Sequence, residues 1–296
     1  MRNEAIARAA HRDAAAGARS SDAAHLKLSV TSDALTERSH RIWSSGEYDR
    51  IAAGFRHEAE SFVARRGLRP GLEVLDAASG SGNLTIPAAR TGAAVTGIDL
   101  VGNLVVAAAQ WASRVGVSIT LDTGNVEELP YDDAQFDVVM SMFGVMFASR
   151  PDRVVAELAR VTKPGGQVAL ANWTRSGFIG RMLALHVAVV PPPAEIPSPL
   201  LWADEDVLRE RFDPRLWDLT TKRQTLTFRY PHSPAGTAEL FRAAYGPTVR
   251  TFDALDVDGR ASFAADLADH WTWHQRGPDR STEVDSEYLE VIAVRR

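Results

Sequence analysis

Residues 73–99 constrain this chain more than any other stretch. They read Glu73-Val74-Leu75-Asp76-Ala77-Ala78-Ser79-Gly80-Ser81-Gly82, then a helix start at Asn83-Leu84, then Val95-Thr96-Gly97-Ile98-Asp99. A short apolar run breaks at two glycines and resumes as helix, and a second apolar run ends in a carboxylate. That is the pattern of a βαβ unit, whose strands pair in parallel through a right-handed crossover. The glycines let a ligand approach bare backbone at the first turn. The acid at the tip of the second strand can accept from the hydroxyls of a ribose. A nucleoside-bearing cofactor is the expectation.

The same alternation continues downstream. Strands are predicted at 73–76, 94–99, 118–123, 136–141 and 166–172, with helices over 84–91, 104–115 and 152–161 between them. Single helices between strands imply an α/β fold, Rossmann-like, with a mostly parallel sheet and helices on both faces. Lys163-Pro164-Gly165-Gly166 is expected to stop the third helix. Two later strands, 222–230 and 288–295, close the chain. Ahead of the first strand, Ile51, Phe55, Ala59, Phe62 and Val63 repeat at helical spacing up to Gly67. Residues 1–38 are small, polar and charged, and read as a flexible or oligomerisation arm, so a homo-oligomer is one open outcome. Residues 39–175 form the cofactor-binding core, and the proline-rich 176–220 a lid or connection carrying the acceptor pocket. Residues 221–296 hold the last strands with inserted helices as a helical and loop cap.

Composition removes several function classes. The chain has no cysteine, which excludes disulfides, catalytic thiols, thiolate zinc sites and cysteine-held iron–sulfur clusters. Acidic residues outnumber basic ones, 38 to 33, and no strong basic run stands out, so nucleic acid is not expected as a partner. The apolar stretch 182–190 is interrupted by His186 and closed by Pro191, Pro192 and Pro193. It falls short of the ~20 residues a membrane span needs. A soluble, cytoplasmic protein is expected.

Charge selects the cofactor. The nicotinamide fingerprint is incomplete, because Thr85 stands where a small third residue belongs, and no Lys-Ser/Thr pair follows to form a phosphate loop. Asp76 ends the first strand, where a carboxylate repels a diphosphate and attracts a cation. S-adenosylmethionine (SAM), with an ammonium, a sulfonium and no phosphate, fits that logic. Asp99 would take its ribose hydroxyls, and Asn125, after the third strand, would bond the adenine edge. Ser141, Met142 and Phe143 would lie at the carboxyl end of the fourth strand, where ligands bind in open α/β sheets.

Five ordered segments carry a resemblance: Leu75–Gly82, Gly97-Ile98-Asp99, Gly124 to Pro130, Phe136-Asp137-Val138-Val139 and Arg160 to Gly166. Together they resemble the motifs of class I SAM-dependent methyltransferases, and among these the small-molecule branch with the ubiquinone/menaquinone C-methyltransferases. Tyr48-Asp49-Arg50-Ile51-Ala52 is similar to that branch's N-terminal element, which folds over the cofactor. The resemblance runs from about 43 to 173. It implies a seven-stranded sheet with a final antiparallel strand, and cofactor contacts from Tyr48, Asp76, Ala78, Ser79, Gly80, Gly82, Asp99, Leu100, Asn125, Val126, Ser141 and Met142. Two departures stand out. Ala78 occupies a position where the family has glycine, and Asn125 one where it has an acid.

Methyl transfer from a sulfonium needs alignment and exclusion of water more than acid–base help. If the acceptor must lose a proton, Tyr48 and His186 are the candidate catalytic residues, although His186 in an apolar run better suits a hydrogen-bonded core or pocket-wall role. His270 and His274 share a helical face at a metal-like spacing but lack a third ligand, so no metal is expected. Phe143, Met146, Phe147, Trp173, Trp202 and Tyr245 are the candidate acceptor pocket, with Phe178, Leu201 and Phe241 in the same set. An apolar, aromatic wall implies a small hydrophobic or aromatic acceptor of quinone or secondary-metabolite type. The alternative is an enzyme of the same fold that binds SAM without methylating, such as a cyclase. An NAD-dependent oxidoreductase is a more distant third.

Overall fold

The computed structural model describes residues 26–28, 34–278 and 280–296. The strands are β1 (Leu26–Leu28), β2 (Glu73–Ala77), β3 (Ala94–Asp99), β4 (Thr120–Thr123), β5 (Phe136–Met142), β6 (Thr162–Trp173), β7 (Trp217–Tyr230) and β8 (Thr282–Arg295). The helices are α1 (Ala34–Trp43), α2 (Tyr48–Ala52), α3 (Arg56–Ala64), α4 (Thr85–Ala89), α5 (Gly102–Val115), α6 (Pro151–Val161), α7 (Phe178–Val189), α8 (Glu205–Arg211), α9 (Pro234–Ala244), α10 (Gly246–Ala254) and α11 (Val257–His274).

The sheet order is β1-β4-β3-β2-β5-β6-β8-β7. Strands β2 to β6 pair in parallel, and β8 runs antiparallel to both β6 and β7. The seven strands implied by the resemblance are all present. Among the described residues an eighth is added at the edge, where β1 pairs in parallel with β4. Part of the N-terminal arm is thus bound to the sheet.

The chain runs outward from β2 through β3 to β4, then returns to the other side of β2 with β5. Beyond the carboxyl ends of β2 and β5 the two crossovers diverge and leave a crevice, the general ligand site of open α/β sheets. The central strands read as continuous apolar runs because both faces are covered. Val74, Leu75, Val139, Met140, Val168, Ala169 and Leu170 are buried.

Two boundaries differ from the sequence reading. Strand β6 begins at Thr162, so Pro164 and Gly165 lie within it rather than in a helix stop. The pairing slips between Phe136 and Val138 at that point, and such an irregularity accommodates a proline that cannot donate to the ladder. The two late strands are also longer than expected, because Thr282–Arg295 and Trp217–Tyr230 pair in one long hairpin-like ribbon along the edge.

Helices α7, α9, α10 and α11 pack on one another, and α10 and α9 reach α1 and α2. This layer covers the carboxyl edge of the sheet. Arg65 and Arg66 beyond α3 both pair with Glu290 of β8, at 2.7 Å each, and tie the N-terminal helices to the antiparallel ribbon. Among the described residues no helix is long and apolar enough to cross a membrane.

Candidate active site

The turn after β2 is built by backbone geometry. Ala78, Gly80 and Gly82 all have positive φ, at 60°, 53° and 93°. Glycine adopts that region freely and alanine only at a cost. A side chain at Gly82 would come within 3.3 Å of Ala108 and Ile86, so this glycine seats the turn against α5 and α4. At Gly144, a Cβ would fall 2.6 Å from that of Ala78. The absence of one lets the turn after β5 close onto the turn after β2.

These turns border a cleft of about 970 Å³, counted to its open mouth. Asp99 lies at its floor. One carboxylate oxygen accepts from the Gly80 N–H at 2.8 Å and the other from the Val101 N–H at 2.9 Å. Burial raises the Asp99 pKa, while the two N–H donors and the charge of His40 pull it back. Asp76 also lines the cleft and accepts from the Thr85 hydroxyl at 2.6 Å. Burial pushes its carboxyl up to about 7, with the Thr85 hydrogen bond opposing and the Asp99 charge adding.

The donor set of the cleft tests the cofactor. Its wall contains Asp76, Asp99 and Glu127 and, among the described residues, no lysine, arginine or histidine. Glu127 is already matched by Arg150. A phosphate would meet carboxylates rather than lysine or arginine in that wall, whereas a cationic ligand would compensate the two buried acids. Ser79, Ser81 and Asn83 line the same wall, and each has a buried side-chain oxygen without a hydrogen-bond partner. Buried polar atoms of this kind call for a polar ligand. A phosphate-free nucleoside with a charged amino-acid end meets all three conditions.

Most sequence-predicted residues gather here. Tyr48, Asp76, Ala78, Ser79, Gly80, Asp99, Leu100, Asn125, Val126 and Met142 line the cleft. Two do not. Gly82 lies beneath the turn, and Ser141 is committed elsewhere: its hydroxyl donates to the Ala77 carbonyl at 2.6 Å and accepts from the Val145 N–H at 3.1 Å. Ser141 thus braces the cleft from behind rather than facing it. The Asn125 amide is also engaged. Its oxygen accepts from the Glu127 N–H and its nitrogen donates to Thr36 of α1.

Trp43, Tyr48, Phe55 and Phe147 line both the cleft and a second, adjoining space. This narrow chamber, about 290 Å³ when counted out to its open side, is bordered also by Ile51, Trp173, Ile179, Phe228, Phe241 and Tyr245. Phe143 has φ +58° and stacks on Trp173 with ring centres 3.5 Å apart. Of the predicted acceptor residues, Phe143 and Phe147 line the cleft, and Phe147, Trp173, Phe241 and Tyr245 line the chamber. Met146, Phe178, Leu201 and Trp202 do not line either space. Met146 is buried in the core, and Trp202 is buried beneath the Arg211 guanidinium.

His186 is corrected as a candidate base. It faces the packing of α7 against α10, where one ring nitrogen bonds the Met182 carbonyl at 2.7 Å and the other Thr248 at 2.8 Å. Burial lowers its pKa to about 4, and it lines neither space. Burial likewise pushes the Tyr48 phenol up, with the Asp99 charge adding, which disfavours the phenolate a base would need. His270 is similarly occupied by the Phe178 carbonyl.

Sequence reasoning missed Thr36 and Ser39, which line the cleft from α1, and Phe55 and Phe228 in the chamber. The signal was present for α1: Thr36, Ser39 and Trp43 stand three and four residues apart, on one helical face.

Comparison with known proteins agrees with this geometry. Residues 75–170 match the family model described as a methyltransferase domain. The chain is 36% identical over 219 residues to the uncharacterized protein Rv1403c of Mycobacterium tuberculosis, covering 73% of this chain and 80% of that one. It is 35% identical over 116 residues to the ubiquinone/menaquinone biosynthesis C-methyltransferase UbiE of Bdellovibrio bacteriovorus, over 38% of this chain and 49% of that one. Among solved structures, the YcgJ protein of Bacillus shares the fold with a TM-score of 0.57 at 16% identity, across 81% of this chain and 99% of that one. The glycine turn, the two buried acids, the phosphate-hostile wall and these likenesses lead to one conclusion: the chain belongs to the class I methyltransferases that use S-adenosylmethionine as cofactor.

Proposed function

We propose that the protein methylates a small, apolar, flat organic acceptor of quinone or secondary-metabolite type, held in the aromatic chamber, by in-line displacement. The observation that carries this reading is the shared wall: Trp43, Tyr48, Phe55 and Phe147 border both the cofactor cleft and the chamber, so a molecule in one adjoins a molecule in the other. When bound, the cofactor supplies an already activated methyl group. The work left to the chain is to bind, align and exclude water.

Asp99 would accept the ribose hydroxyls with the lone pairs left free by Gly80 and Val101. Asp76 would face the cationic amino-acid end, and Ser79, Ser81 and Asn83 would satisfy its remaining polar atoms. Val126 and Leu100 would flank the adenine. Tyr48 would lie across the glycine turn, since a Cβ built on Gly80 comes 3.7 Å from its ring. The chamber wall of aromatic and aliphatic side chains suits an apolar acceptor. The net charge of −5 argues for a small molecule over nucleic acid.

Incubation with methyl-labelled SAM and a panel of hydrophobic aromatic and hydrophilic candidates tests the reading. Label should pass to members of the aromatic group and be lost on Trp173→Ala, with cofactor affinity retained. Transfer only to hydrophilic acceptors, or turnover of a substrate with SAM unconsumed, would overturn it. The second result would favour a cyclase-like enzyme.

A further inference from the structure

The chamber contains an unusual set of polar groups. Among the described residues, its lining side chains include no aspartate, glutamate, lysine or histidine. The polar atoms it offers are the hydroxyls of Tyr48 and Tyr245 and the indole N–H groups of Trp43 and Trp173. The other tyrosine in this region, Tyr230, spends its hydroxyl on the Ile51 carbonyl at 2.7 Å. Tyr48 and Tyr245 make no such bond: neither hydroxyl has a hydrogen-bond partner among the described residues. Their rings stand 6.5 Å apart, centre to centre, and both line the chamber.

Two phenols without a protein partner, bordering an otherwise apolar space, are a recognition device, because both O–H groups are free to donate to an oxygen of a ligand held there. We propose that Tyr48 and Tyr245 together hold an ionised oxygen of the acceptor, so that the substrate is an acidic enol, phenol or 1,3-dicarbonyl compound bound as its anion. This rests on the methyl-transfer reading and names the substrate class for it. Burial keeps both phenols protonated, so they donate and do not withdraw the proton themselves.

The chemistry balances without a protein base. An acceptor that arrives as an anion forms the new bond to the methyl carbon with its own electron pair. The carbon–sulfur pair stays on sulfur as a neutral thioether, and the positive and negative charges cancel. If carbon is the attacking atom, its hydrogen is lost to water when the product returns to its enol. An unactivated alcohol would need a group to take its proton, and no lining side chain of the chamber is suited to it. The two O–H donors and a sulfonium in the adjoining cleft would offset the desolvation of the anion, and hydrogen bonds to a charged oxygen are roughly twice as strong as neutral ones.

A matched pair of bicyclic probes tests this: 4-hydroxycoumarin, an enol ionised at neutral pH, and coumarin, the same ring system without the enol. Binding is followed by quenching of tryptophan fluorescence, with and without S-adenosylhomocysteine. The wild-type protein should prefer the enol by about tenfold or more. Tyr245→Phe should remove most of that preference while leaving the affinity for coumarin and for S-adenosylhomocysteine unchanged. Equal binding of both probes by the wild type overturns the assignment, as does a preference that survives in Tyr245→Phe and Tyr48→Phe alike. If Tyr245→Phe does not fold, as judged by its melting transition, the wild-type ratio and Tyr48→Phe decide. Failure of S-adenosylhomocysteine to bind the wild type would sink the methyl-transfer reading separately, since the probe ratio is also measured without it.

Discussion

Asp99 accepts a hydrogen bond from the backbone N–H of Gly80 at 2.8 Å, which joins the acid closing β3 to the glycine turn that follows β2. The two halves of the cofactor cleft are therefore set by one bond between them. The second oxygen of Asp99, held by Val101, fixes the carboxylate plane.

Asp99→Asn should weaken SAM binding by about 10- to 100-fold, the worth of hydrogen bonds to a charged acceptor, and Asp99→Ala should abolish measurable binding. Isothermal calorimetry reads both. Unchanged affinity in Asp99→Ala would remove the ribose assignment.

Asp76 should make cofactor binding pH-dependent. Its carboxyl, pushed up to about 7 mainly by burial, is partly protonated in the free protein at neutral pH. A cationic ligand favours the ionised form, so affinity should rise with pH to a plateau above 7 and fall by up to about tenfold per unit below it. Proton release on binding between pH 6 and 7, measured by calorimetry in buffers of different ionisation enthalpy, checks this. Asp76→Asn should lose the pH dependence. The same shift affects the ligand-free fold. Because the folded pKa lies above the ordinary value of 3.8, this group's stabilising contribution is complete below about 4 and is lost as pH rises through 7.

Ala78 sits at φ +60°, where glycine is unstrained. Relief of the left-handed strain, ~1–2 kcal/mol, outweighs the ~0.4–1 kcal/mol of extra chain entropy that glycine adds to the unfolded state. Ala78→Gly should therefore raise stability by up to ~1 kcal/mol in urea unfolding. A loss of stability would show that packing of the Ala78 methyl against Gly144 matters more.

Glu290, 7% exposed, faces Arg66, 5% exposed, with Arg65 on its other oxygen. Glu290→Ala leaves two guanidinium groups without their shared acid and should cost ~3 kcal/mol or more, since breaking a buried pair strands a charge. The site lies away from the cleft, so cofactor affinity measured below the melting transition should not change.

His186 contributes stability with the opposite pH sign from Asp76. Burial depresses its pKa from 6.5 to about 4, so the contribution is intact above 6.5 and is lost as pH falls toward 4. Melting temperatures between pH 8 and 4 should show that loss in the wild type and a weaker one in His186→Gln, with SAM affinity unaltered by the substitution.

The parallel core and most of the cleft wall were legible in the linear order of residues. Strand, turn and acid lie within one βαβ unit, so Asp76, Gly80 and Asp99 come to line one cleft through local geometry alone. The sequence also carried the charge argument, because the identity of the acids does not depend on where they fold. The roles of Ser141, Trp202 and His186 follow instead from long-range packing. Each has the chemistry of a site residue, but what it touches depends on elements distant in sequence: the Ala77 carbonyl, the Arg211 guanidinium, the Thr248 hydroxyl. The same holds for the chamber, whose wall draws Trp43, Trp173, Phe228 and Tyr245 from four separate stretches of chain. Periodicity reports which face of an element is apolar. It does not report which apolar faces leave a space between them, and that is set by how helices and sheet pack in three dimensions.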